Sequence, residues 1–184
     1  MQAEVPPVTE VDYRHTSSRP AFDELPPDVR EGIVNVAGSD IAVAFPPVTT
    51  GFTGAYAGLL TLRDGRRVFA KAAGPAAPFA LQAIPREAGV LRVLAGRVTA
   101  PQLVGSAAAG DWELVVLEGI DGDLPGMPWT RCDADAAHAA CLELAALGPS
   151  DVALVTCASL AVDLGGDLAA VACLDELVSG ARSW

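Results

Sequence analysis

Several residue types on which chemistry commonly rests are scarce in this chain. Its 184 residues include two histidines, His15 and His138, one lysine, Lys71, and one asparagine, Asn35. The four cysteines, Cys132, Cys141, Cys157 and Cys173, form no C-x-x-C pair and stand near no histidine cluster. Their spacing argues against a zinc site and for reduced thiols in a cytoplasmic setting. There is no G-x-S-x-G elbow of a hydrolase. No apolar run approaches the roughly 18 residues of a membrane span. The opening MQAEVPPVTEVDYRHTSS lacks the basic region and apolar core of a secretory signal. Basic residues are outnumbered 23 to 12, for a net charge of −11. That balance would repel nucleic acid and anionic membranes, and it leaves room for a cationic substrate or a basic protein partner. What the chain does have is apolar content, 51%, ample for a core although much of it is alanine.

The informative stretch runs from Thr49 to Glu87. Asp64-Gly65 lies between two strand-like runs, and Asp-Gly in that setting signals a β-hairpin, with the type I′ turn needing positive φ at both central positions. On the second strand, alternation puts Arg67, Phe69 and Lys71 on one face and Val68, Ala70 and Ala72 on the other. A lone strand lysine reads, on composition, as a solvated side chain. The next element shifts that reading. Ile84, Ala88, Leu91 and Ala95 form the apolar stripe of a helix with Pro85 near its first turn, and Glu87 projects beside the stripe. A carboxylate at the edge of a buried face needs a cation, and Lys71 can supply one. Upstream, Gly51-Phe52-Thr53-Gly54 is a turn whose glycines permit close backbone approach. A glycine turn, a strand lysine and a helix glutamate, in that order, can hold a nucleotide: backbone N–H groups and the lysine meet phosphates while the glutamate positions the lysine.

The pieces TTGFTGAYAGLLTL, DGRRVFAKA, REAGVLRVL, GDWELVVLEGIDG and LPGMPWT, in this order, resemble the N-terminal lobe of the aminoglycoside phosphotransferase and choline kinase superfamily, over about Asp40 to Leu147. The resemblance implies an α+β fold: a kinase-like N-lobe with a five-stranded antiparallel sheet and one packed helix, followed by a short helical C-terminal part. It implies that Lys71 and Glu87 pair and that the Leu117-Glu118-Gly119-Ile120 region, Glu118 to Ile120 above all, offers backbone groups to an adenine ring; in that reading Gly51 and Gly54 permit close backbone approach to the nucleotide. It also implies ATP with Mg as the cofactor.

In chain order, residues 1–20 have no period and read as a flexible arm, 21–120 as the nucleotide-binding lobe, and 121–184 as the crossover and a truncated helical portion. PPDVREGIVNVAG reads as a helix from its prolines to Gly38. Ile41 to Val48 reads as a strand broken by Pro46-Pro47, which make it an edge strand or end it, and 72–83 as a loop. Strands are expected near Gln102 to Ala107 and over Trp112 to Glu118, around a turn at Ala109-Gly110-Asp111. Asp133 is expected to cap a helix running to Leu147, with Gly148 and Pro149 as its stop. His138, inside that helix, reads as a surface or partly packed residue. Residues 151–162 fit either strand or helix, and 167–179 fits a helix.

The second half of the family's machinery is not visible. Neither histidine is followed closely by aspartate, and Asn35 precedes the glycine turn, so the aspartate that orients the acceptor hydroxyl and the asparagine that holds magnesium have no candidates. Asp163-Leu164-Gly165 reads as a turn or cap. No residue is therefore assigned a catalytic or metal-binding role. Two readings compete: an ATP-binding lobe that acts only with a partner or a missing lobe, and a pseudokinase-type scaffold that docks on a protein partner or on itself. Asp121 and Asp123, or Asp133 and Asp135, read as loop and cap carboxylates.

Overall fold

The computed structural model describes residues 16–122 and 129–147. The chain divides into two units, Met1–Ala134 and Asp135–Trp184, and the sheet belongs to the first. The readings at His15, at Gly148-Pro149, over 151–162 and 167–179, and at Asp163-Leu164-Gly165 fall outside the described residues, as does most of LPGMPWT.

Helix α1 (Pro27–Ala37) starts on a proline, whose missing N–H costs nothing in a first turn, and ends at Gly38 in the left-handed conformation, φ 73°. Strands β1 (Ile41–Ala44), β2 (Tyr56–Leu62) and β3 (Arg67–Ala73) precede helix α2 (Pro78–Leu94). Strands β4 (Leu103–Ala109) and β5 (Trp112–Glu118) complete the sheet, and helix α3 (Arg131–Ala145) follows. All pairings are antiparallel, in the order β1-β2-β3-β5-β4, so the expected α+β architecture with a five-stranded antiparallel sheet is present and β1 is an edge.

Each face of the sheet carries a helix. Val68, Ala70 and Ala72 of β3, with Leu114 and Val116 of β5, meet Val29, Ile33 and Ala37 of α1. On the other face Val115, Leu117 and Phe69 meet Ala80, Ile84 and Ala88 of α2. The period-2 split expected for β3 is thus realised, but the sheet has two packed helices where the sequence led us to count one. The apolar residues of α1 recur at i, i+4 and i+8 and give it a face as good as that of α2.

Three local expectations are corrected, at Asp64, at the start of α2 and at the cap of α3. Asp64 does not adopt positive φ; only Gly65 does, at 89°. The hairpin has a three-residue loop, with Gly65 N–H donating to Leu62 O at 3.1 Å and Leu62 N–H to Arg66 O at 2.8 Å. This is the longer turn form in which a single left-handed residue suffices. The Asp64 carboxylate accepts from the Arg66 N–H (2.9 Å) and from its guanidinium (2.9 and 2.7 Å), while that guanidinium also donates to Ala37 O at the end of α1. These Arg66 hydrogen bonds hold the Asp64 carboxyl below the usual carboxylate range. A depressed pKa contributes stability above the unfolded value, about 3.9, and that contribution is lost as pH falls through the folded value. Asp64→Asn is therefore expected to melt slightly below wild type at pH 7, with the difference between the two melting temperatures shrinking as pH falls below the ordinary carboxylate range.

The second correction concerns α2, which begins at Pro78 rather than near Ile84, so that Pro85 lies inside the helix. Pro78 serves as the first-turn proline, and Pro85 leaves the Leu81 carbonyl without its helical donor.

At Ala109-Gly110-Asp111 the turn forms as expected, with Ala109 paired to Trp112 and Gly110 at φ 60°. Gly74, after β3, lies against the Trp112 indole so closely that a Cβ would come within 2.4 Å of it. The interior of α2 holds Gly89, where a Cβ would meet nothing within 4 Å. Gly74→Ala should destabilise by about 1–3 kcal/mol through overpacking against a rigid ring, while Gly89→Ala should stabilise by roughly 0.5–1 kcal/mol through helix propensity. Urea denaturation of the two variants beside wild type checks both signs.

The helix α3 is capped by Thr130, not Asp133. Asp133 accepts the Thr130 N–H (2.8 Å) and hydroxyl (2.6 Å), and its own N–H donates to Thr130 Oγ1 (3.2 Å). This reciprocal pair is a capping box, and it holds the Asp133 carboxyl below its usual range. His138 is exposed on α3. Among the described residues no helix is long and apolar enough to cross a membrane.

Candidate functional site

A cavity of about 380 Å³ opens on the α2 face of the sheet, bounded by the strand ends of β2 and β3, the first turns of α2 and the glycine turn. The second strand of the hairpin delivers Lys71 into it, and α2 delivers Glu87. Lys71 Nζ donates to both oxygens of Glu87, at 2.7 and 2.9 Å. The two side chains are about one-third exposed, 34% and 32%, which leaves the ammonium accessible from the cavity. Lys71 needs this carboxylate because the cavity is otherwise largely apolar, with Phe69, Ala57 and Ile84 among its walls.

The glycine turn closes one side. Gly51 has φ 110°, a conformation that side-chain-bearing residues rarely take. Thr50 and Thr53 line the cavity with hydroxyl-bearing side chains, while Phe52 at the tip of the turn is 92% exposed. The segment immediately upstream of Pro20 crosses this turn. Thr16 and Ser17 N–H groups both donate to Thr49 O, at 3.1 and 3.0 Å, so residues 16–19 of the expected flexible arm are tied to the lobe. Arg19 reaches the cavity wall, and burial lowers its pKa.

Of the six residues expected to hold a nucleotide, the fold brings Lys71 and Glu87 into direct contact and places Gly51 and Gly54 in the turn that borders their cavity. Glu118 and Ile120 lie at and beyond the end of β5 and are not among the residues lining this cavity. The Glu118 N–H donates to Gln102 O and the Gly119 N–H to Arg67 O, both at 2.9 Å. Gly119 is required there by close approach, since a Cβ would lie 2.8 Å from Arg67. Arg67 also pairs with Asp121 at 2.7 Å and so holds the start of the crossover against β3.

Asn35 is exposed on α1, across the sheet from the cavity, and plays no part in it. Among the described residues no three His, Cys, Asp or Glu side chains cluster to hold a metal. The residue missed by sequence reasoning is Arg19. Its only sequence-level signal is a cation four residues after a histidine in a segment without period, and nothing in that pattern points 36 residues ahead to Ala55.

The buried hydroxyl of Tyr56, in the core on the α1 face of the sheet, has no hydrogen-bond partner, and burial raises its pKa. Its ring packs 6.0 Å from that of Phe22.

No family model matches the chain, and no curated protein does. Among solved structures, the chain is similar to a protein of Haemophilus somnus 129PT provisionally named a fructosamine-3-kinase, with 16% identity, a TM-score of 0.41 and 53% of this chain covered. The match spans 32% of that protein's length, a likeness too slight to carry any residue's role across.

Proposed function

We propose that this chain is the nucleotide-binding lobe of a phosphotransferase of the aminoglycoside phosphotransferase and choline kinase type, acting on a small molecule or peptide together with a partner or a further lobe. The observation that carries this reading is the Lys71–Glu87 pair: a strand ammonium held by both oxygens of a helix carboxylate, at the wall of a cavity bordered by a glycine turn. The cavity lies within the range of small-molecule sites, roughly 300–1,000 Å³. ATP would place its phosphates against Lys71, with Thr50 and Thr53 beside them. Glu87 fixes the ammonium so that binding spends no side-chain entropy on it. Magnesium would arrive on the phosphates, which supply most of its ligands in such sites. The nucleotide supplies the transferable phosphoryl group; what these residues do is bind and orient it.

Among the described residues no aspartate lines the cavity to orient an acceptor hydroxyl, and positioning with electrostatic stabilisation makes up nearly all of phosphoryl-transfer catalysis. Turnover therefore depends on groups from elsewhere. Calorimetric titration of the folded protein with ATP and magnesium tests the reading: saturable binding supports it, and its absence removes it.

A second reading, a pseudokinase-type scaffold, is favoured by one observation. Phe79, which lines the cavity, is 73% exposed and Phe52 on the glycine turn is 92% exposed, apolar surface that suits a docked protein or a second copy of this chain. Failure to bind ATP, together with a concentration-dependent change in hydrodynamic radius, would favour it.

A further inference from the structure

We propose that the segment Thr16–Arg19 is a working part of this site, with Arg19 as the positioning residue of the glycine turn. The inference rests on the nucleotide reading above and names the device that gives the turn its shape.

A turn with glycines at both ends has the backbone freedom of a flexible loop, and nothing covers Phe52 at its tip. What restrains it comes from 31 to 36 residues upstream. Thr16 Oγ1 accepts the Gly51 N–H at 3.0 Å and donates to Gly51 O at 2.8 Å, so one hydroxyl satisfies both backbone groups of that residue. Arg19 then spans the turn. Its NH1 donates to Ala55 O at 2.7 Å, its NH2 to Thr50 O at 3.0 Å, and its Nε to Ser17 Oγ at 3.1 Å. A single planar fork thus pins carbonyls five residues apart, on either side of Gly51-Phe52-Thr53-Gly54. The Gly51 position carries a second constraint, because a Cβ there would lie 2.8 Å from Arg19 NH2.

Arg19 also belongs to the wall of the cavity that Lys71 enters. A guanidinium has five N–H donors, and three bonds leave two, so the residue that shapes the turn also sets a cation beside the phosphate position. Thr16 occupies the Gly51 N–H. Phosphate recognition at this wall therefore falls to Lys71, to the hydroxyls of Thr50 and Thr53, and to the held shape of the turn. Lysine cannot replace Arg19 in this role. One ammonium is a point charge and lacks the rigid fork that meets two separated carbonyls.

The test uses the full chain. Amide hydrogen exchange at Gly51 is measured beside calorimetry with ATP–magnesium and with adenosine, the phosphate-free probe, for wild type, Arg19→Ala, Arg19→Lys, Thr16→Val and Lys71→Ala. Arg19→Ala and Thr16→Val are expected to lose protection at Gly51 while β2 and β3 amides keep theirs. Arg19→Ala should lose about tenfold in ATP affinity, with adenosine unchanged. Arg19→Lys should restore neither property, and Lys71→Ala should lose ATP affinity with Gly51 still protected. Wild-type ATP affinity in Arg19→Ala would overturn the inference and leave the nucleotide reading standing. Full rescue by Arg19→Lys, or lost affinity with Gly51 still protected, would also overturn it, since Arg19 would then act by charge alone. Absence of ATP binding in wild type with Gly51 protected would remove the nucleotide reading, and the role of Arg19 with it.

Discussion

Lys71→Ala is expected to lower affinity for ATP–magnesium by ten- to a hundredfold while leaving the protein folded. The ammonium is the cation fixed by Glu87 at the cavity wall, and a charge-assisted contact to phosphate is about twice as strong as a neutral hydrogen bond. The stability cost is smaller. Both side chains keep about one-third of their surface in water, 34% and 32%, so the pair is screened and its loss costs about 1 kcal/mol. Glu87 would lose its partner, but its exposure lets water take over. Isothermal titration beside thermal unfolding separates the two quantities. A large fall in the unfolding midpoint with no ligand present would mean that the pair is a structural brace between β3 and α2. Unchanged ATP affinity would mean that the nucleotide does not sit against Lys71.

Ile33→Ala is expected to produce the largest loss of stability, about 2–5 kcal/mol. Ile33 is fully buried at the centre of α1, among Tyr56, Leu60, Leu114 and Val116. Truncation opens a cavity between a helix and a sheet face that alanines at 70 and 72 cannot fill, because they have no side chain long enough to reach in. The affected cluster lies across the sheet from Lys71, so the folded variant should bind ATP as wild type does. Urea unfolding gives the first quantity and titration below the transition gives the second. A near-neutral result would show that α1 is not docked on the sheet in solution.

The legibility of this chain varied from element to element. Alternation in VFAKA and the i, i+4, i+7 stripe of IPREAGVL are local periodicities, and each already carries its answer: Lys71 on one strand face, Glu87 at the edge of one helix face. That two such groups meet followed from the need to satisfy a half-buried carboxylate. The type of turn at Asp64 was not legible. It depended on whether Arg66 would hydrogen-bond the Asp64 carboxylate and the end of α1 together, which is a contact across 29 residues. Nor was the start of α2 legible, because Pro78 and Pro85 are both plausible first-turn prolines, and burial of Ala80 beside Ile84 decides between them.

By itself, then, the sequence determined most of the strands and helices among the described residues, the two faces of β3, and the places of Lys71 and Glu87 on their own elements, since each of these depends on periodicity within a few residues. Only the tertiary structure decided that α1 covers the second face of the sheet, that the N–H groups of Glu118 and Gly119 bond Gln102 and Arg67, and that Arg19 grips both sides of the glycine turn. Those outcomes come from hydrogen bonds and packing between residues far apart in the chain. An arginine in a segment without period has no repeat from which its partners could be read, so only folding brings Thr50 and Ala55 within reach of Arg19.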